Sequence, residues 1–190
     1  MTLTALSEPG TGLPLLERFA LKAFLKTYAL FASKATATER MRRERKAILL
    51  LVKTLNPEEG SQRVLIDRIR GIEDNSRFWS VFMVLEHLAI VNAGILAIIE
   101  TLCANQAYPQ EVHIADVKPD EKADILSIKA FDNSVTHYLS KVSTLPNLRM
   151  SRQHPHPWFG PLNAHSWHCL ASVHHSIHYQ QICAILKKLR

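Results

Sequence analysis

With 190 residues, 47% of them hydrophobic and 21% charged, the chain is long and apolar enough to bury one full core, so it needs no metal or disulfide staple to fold. Its three cysteines, Cys103, Cys169 and Cys183, are widely spaced without a CxxC pair, which argues against a disulfide framework or a thiolate zinc cluster and fits a reducing cytoplasm. The net charge of +6 is concentrated: five of the 23 Lys and Arg fall in "ERMRRERK" (39–46), interleaved with Glu39 and Glu44 and without aromatic residues or a nucleic-acid motif, so a solvated, partly self-paired helix face is expected there rather than a nucleic-acid or anionic-membrane patch.

The start, "MTLTALSEPGTG", lacks a basic-then-apolar leader pattern and reads as a flexible tail over 1–12, with 13–190 as one domain. No run of about 18 uncharged apolar residues occurs, so no membrane-spanning segment is expected. Pro14 suits a first helical turn, and the stretch after it runs to Leu55 without Gly or Pro, which predicts helix, with a possible break in the threonine-rich "KATATER". The first part, with Phe19, Phe24 and Phe31 among lysines, reads as a core-facing helix in preference to an interfacial one.

"NPEEGSQ" (56–62) is expected to turn, and Asn75 or Ser76 to cap a long helix, "RFWSVFMVLEHLAIVNAGILAIIETLC". Apolar on nearly every side, that helix belongs at the centre of a bundle or against a second subunit, so a homodimer is plausible. A connection (104–119), a more polar helix (120–145) and a proline-rich irregular loop (146–163) follow; Asn163 then caps a last helix ending in Lys187, Lys188 and Arg190. Four helical segments and no convincing strand pattern predict an all-α fold, a four-helix bundle with at least one crossover.

At about 100° per residue, Trp167, His178, Gln181 and Ile185 fall within about 40° of His174. Two imidazoles thus stand one turn apart on the apolar face, the spacing at which both bind one ion. His165, His168, His175 and Tyr179 fall on the side or back with Ser172 and Cys183 and read as surface residues. His87 stands mid-stripe among Ser80, Val84, Val91, Gly94 and Ile98. A single buried histidine is ordinarily a hydrogen-bonded core residue, but three on two core-facing stripes suggest a three-nitrogen metal site with positions left for water or substrate. Gln181 would orient a ligand ring. Trp158 and Phe159, near His154 and His156, read as a packed lid or as pocket mouth; His113, Asp116 and His137 lack partners at useful spacing.

At "EHLAIVN", "HPWFGPLN" and "HHSIHYQQI" the sequence resembles the DinB-like, or YfiT-like, superfamily of metal-binding four-helix bundles, from about Leu13 to the end. His174 and His178 match its HxxxH pair, and Gln181 with Ile182 the Gln-Ile that commonly follows. The resemblance implies an up-down-down-up bundle holding a divalent ion, often nickel or zinc, on His87, His174 and His178. It also implies activities such as transfer or isomerisation with low-molecular-weight thiols (bacillithiol, mycothiol or glutathione), although the extended basic first segment departs from the pattern. The expected function is a metal-dependent thiol transferase or hydrolase acting on a small molecule; a metal-binding, stress-associated protein without chemistry is the alternative. Glu86, about 100° around the helix from His87, is a poor candidate for a general base.

Overall fold

The computed structural model describes residues 6–8 and 10–190; of the expected flexible tail, residues 1–5 and Pro9 lie outside the described residues. The described part is tied down: Ser7 N–H donates to Asp74, and the Gly10 and Gly12 N–H groups to the Glu73 carboxylate.

The first helical stretch divides into α1 (Leu15–Phe31) and α2 (Lys34–Val52). The break falls at Ala32 and Ser33, just ahead of the threonines, because Ser33 Oγ accepts the Thr36 N–H at 3.0 Å and so starts a new helix. "NPEEGSQ" is more than a turn. It forms the short α3 (Pro57–Ser61), closed by reciprocal capping of Asn56 and Glu59, and a Cβ on Gly60 would collide with the Phe82 ring. The long apolar helix, α4 (Val81–Cys103), is capped by Ser80 rather than by Asn75 or Ser76, which lie in a 3₁₀ turn over Asp74–Phe78. Asn105, at φ 58°, ends α4.

α5 (Leu126–Thr144) begins later than expected, after a turn in which Asp124 accepts the Leu126 N–H. The loop expected to be irregular carries a hairpin, β1 (Gln153–His156) against β2 (Gly160–Asn163), with Pro155 opposite Pro161. Both strands are edges, where a missing N–H is tolerated. Asn163 caps α6 (Ala164–Leu189) by accepting the Ser166 N–H at 2.9 Å.

Four helices form the bundle, in the ring order α2, α6, α4, α5, and side-chain contacts fix their directions. Thr38 meets His168 and Arg40 meets Ser176, so α2 and α6 run parallel. Ser76 and Trp79, ahead of α4, lie by Gln181 and His178, whereas Cys103 at its end meets Asn147 before α6; these two helices are antiparallel. Asn92 meets Ser134 and Glu100 meets Lys141, making α4 and α5 parallel neighbours that require the crossover over residues 104–125. The bundle is therefore up-down-down-up.

α4 supplies much of the core, with Val81, Phe82, Val84, Leu85, Leu88, Ile99 and Leu102 fully covered at about 1.5–3 kcal/mol each. It is long and apolar enough to cross a membrane by length and composition, with a mean hydropathy of 2.1 over 18 residues, yet 61% of that window is buried inside the bundle. α1 crosses α6 and leaves an apolar face outward, Leu16 being 86% and Phe31 81% exposed.

One expectation fails on α6. His165, His168, His175 and Ser172, read as surface residues, are all buried, because α6 is covered on its far side by α1 and α2 as well as by α4. Tyr179 and Cys183 are half-buried. In the basic segment, Arg45 pairs with Asp132, Arg40 with Ser176 and the Tyr28 ring, and Arg42 with Glu39. Glu44 is itself buried and accepts from Ser176 and Arg43.

Candidate metal centre

α4 carries His87 on its inward face, and the antiparallel α6 brings His174 and His178, one turn apart, to the same level. One nitrogen from each ring lies within 4.8 Å of the other two. His174 Nε2 is 3.2 Å from His87 Nε2 and 2.9 Å from His178 Nε2. Trp79 packs against this cluster, its ring parallel to that of His178 and tilted 5.2 Å from that of His87.

The remaining ring nitrogens fix the tautomers. His87 Nδ1 lies 2.6 Å from the Val117 carbonyl oxygen, which can only accept, so Nδ1 carries the proton and Nε2 a lone pair. His178 Nδ1 lies 2.6 Å from Gln181 Oε1, and the Gln181 amide is oriented by donating its Nε2–H to the Ser76 carbonyl at 2.7 Å. His178 Nε2 is thus a second lone pair aimed at the cluster. His174 Nε2 holds at most one proton and cannot fully satisfy both.

A cation resolves this shortage. Metal–nitrogen bonds of about 2.0–2.1 Å hold two nitrogens about 2.9 Å apart at a right angle and about 3.3 Å apart at the tetrahedral angle. Both separations from His174 Nε2 fall in that span and the third pair lies within 4.8 Å, so the residues present fit a divalent ion. Among the described residues no carboxylate or thiol completes the cluster as a fourth ligand.

The electrostatics favour the ligating form. Burial pushes the His87 pKa down to about 4, with Lys118 adding to the shift and the Val117 carbonyl opposing it. His174 and His178 are held well below the ordinary imidazole range, by burial first and next by a neighbouring imidazole. All three rings are neutral at pH 7, as metal binding requires.

The cluster opens into a cavity of about 260 Å³ between α1, α4, α6, the crossover and the hairpin. Trp158, Phe159 and Trp167 line it, and so does His156, stacked on Phe159. His154 lies between Tyr108 and Trp167. Gln181 touches His178 on the side away from the cavity, and Glu86 accepts the Asp120 N–H, tying the crossover to α4. His137 is exposed, and His113, at the cavity rim, faces Glu111.

Three participants escaped the sequence reading: Trp79, the Val117 carbonyl and the buried pair of Glu73 with Lys118 at 2.6 Å. A backbone carbonyl leaves no trace in residue identity, and Glu73 and Lys118 are 45 positions apart.

No family model matches the chain, and no curated protein sequence matches it. Its backbone is similar to the crystal structure of TT2238, described as a four-helix bundle protein, with a TM-score of 0.58 and 21% identity over 80% of this chain and 99% of that one. At that identity the likeness shows the fold.

Proposed function

We propose that the chain is a divalent-metal-binding bundle protein acting as a metal-dependent transferase or hydrolase on a small molecule, with His87, His174 and His178 holding nickel or zinc. The observation that carries this reading is the convergence of three neutral imidazole nitrogens, two with lone pairs fixed by hydrogen bonds behind them, at the floor of an open cavity. The resemblance of "EHLAIVN" and "HHSIHYQQI" to DinB-like sequences points the same way. Three protein ligands with room for exogenous ones are the pattern of catalytic rather than structural zinc.

When bound, such an ion acidifies water or a thiol to give a nucleophile near neutral pH. The protein's own groups do the positioning. Val117 and Gln181 hold two rings in the ligating tautomer, Trp79 packs against both of them, and mostly apolar walls surround the approach to the cluster.

The test is elemental analysis of gently purified, untagged protein beside its His174→Ala and His178→Ala variants. Near-stoichiometric divalent metal in the wild type, lost in both variants, is expected; a wild type that carries none and cannot be loaded overturns the reading. On the cobalt-loaded protein, an absorption band that appears on adding a small thiol reports an exchangeable position. A spectrum unmoved by thiol and by other small ligands leaves a metal site without chemistry.

A further inference from the structure

The walls of the cavity are at odds with a charged substrate. Leu25 of α1, Val91 and Ile95 of α4, Val173 and Ile177 of α6, and Trp158 of the hairpin surround the space above the three imidazoles. Of the lining residues, Lys118 is the cation, and it is fully engaged: its ammonium donates to Glu73, Asn75 Oδ1 and Ser76 Oγ at 2.6, 2.8 and 3.1 Å. Glu73, its partner, also accepts the Gly10 and Gly12 N–H groups. The other lining carboxylates, Glu111 and Asp116, lie near the rim and repel anions. Along these walls, away from the imidazole cluster where a bound ion would supply positive charge, a ligand carboxylate would lose its hydration and find no counter-charge.

Two features instead favour an uncharged guest. The Trp167 indole is 1% exposed, and its Nε1–H finds no acceptor among the described residues, leaving a neutral donor in the cavity wall. Gly94 sits mid-way along α4, where glycine weakens a helix, and a Cβ built on it meets nothing within 4 Å. Gly94 is exposed and lines the cavity, so its missing side chain keeps the mouth of the cavity open. At about 260 Å³ the cavity lies just under the roughly 300–1,000 Å³ of drug-sized pockets, which sets a small guest.

We propose that this cavity takes an uncharged apolar molecule, aromatic or alkyl in its body, that presents one polar head group to the imidazole cluster, with Gly94 keeping the mouth open for the body. The head-group part rests on the metal reading above; the apolar body does not. A polyanionic thiol of the glutathione type is thereby disfavoured as the molecule bound inside.

Two titrations separate these parts. The neutral dye N-phenyl-1-naphthylamine, added to metal-free protein, is expected to bind with a fluorescence rise that Gly94→Leu removes; no binding overturns the apolar cavity. On zinc-loaded protein, straight-chain alkyl hydroxamates from two to eight carbons are expected to tighten about threefold to fourfold per added methylene until the space is filled. In Gly94→Leu the plateau should come earlier with metal content unchanged. An eight-carbon hydroxamate ending in a carboxylate should bind at least tenfold more weakly than its methyl-ended equivalent. Affinity independent of chain length, or equal binding of the carboxylate-ended compound, overturns the proposal while leaving the metal site standing. Dye binding without any hydroxamate binding overturns the head-group part, since it leaves no exchangeable position on the ion, while the apolar cavity stands.

Discussion

α6 carries two sets of buried imidazoles that differ in their partners. On the side turned away from the cavity, each ring has a protein partner that is not another imidazole. His168 sits between the Tyr138 hydroxyl and Thr38 Oγ1, both at 3.0 Å, and His165 donates to the Ala29 and Ala32 carbonyls. His175 donates to Asn92 Oδ1 at 3.0 Å. On the side facing the cavity, His174 and His178 point their Nε2 atoms at each other and at His87. What separates the two sets is where the ring nitrogens point: in the first to hydroxyl, amide or carbonyl partners, although His175 Nδ1 finds none among the described residues, and in the second to other imidazoles.

The largest expected effect breaks the two sets apart. His178→Ala should reduce bound metal to background, while His168→Phe should leave metal content at the wild-type level; equal losses in both would erase the distinction. His168→Phe should instead lower folding stability by about 2 kcal/mol, since it leaves the fully buried Tyr138 hydroxyl unpaired, a loss to be read from urea denaturation.

Acid should act through the same residue. Burial holds the folded His168 pKa at about 4, whereas the unfolded chain titrates near 6.5, so between these values the unfolded state binds more protons. The stability is present above about pH 6.5 and is lost as pH falls towards 4. His168 alone accounts for about 2 kcal/mol between pH 7 and 5. The other buried histidines act in the same direction, so the His168 share is the difference between metal-free wild type and His168→Phe in the shift of the urea midpoint between the two pH values.

A smaller effect tests the hydrogen bond behind the site. Gln181→Leu removes the acceptor that fixes the His178 tautomer and should weaken metal affinity about 10- to 100-fold without abolishing it, as competition with a chelator would show. The smallest concerns the helix that carries both sets: Asn163→Ala removes the α6 cap and should cost about 1 kcal/mol in thermal unfolding, with metal content unchanged.

Much of this was legible from spacing alone. The last helix and its Asn163 cap, the inward stripe of His174, His178 and Gln181, and the long apolar α4 with His87 follow from 3.6-residue periodicity and capping chemistry. The burial of His165, His168 and His175 did not. Their polarity makes α6 look one-sided, and only the packing of α1 and α2 over His165 and His168, and of Asn92 and Phe131 over His175, shows otherwise. The hairpin was hidden because Pro155 and Pro161 suppress any strand signal, and the α4 cap was misplaced because Asn75, Ser76 and Ser80 are all good capping types within six positions. Trp79 stands outside the helical stripes and reaches the site only through the 3₁₀ turn that precedes it.

The ring order has a consequence for assembly. α6 is the main bridge between α2 and α4, with α5 closing the other side of the ring more lightly, and its contacts with α2 join residues 130 or more positions apart, as in Thr38 with His168. Closing such a loop is slow relative to local helix formation. Until α6 docks, α4 has one apolar flank uncovered, the condition under which a folding intermediate associates with its neighbours. His87 lies on α4 and the other two imidazoles on the element that closes the ring, so the three nitrogens meet only in a chain whose bundle is complete.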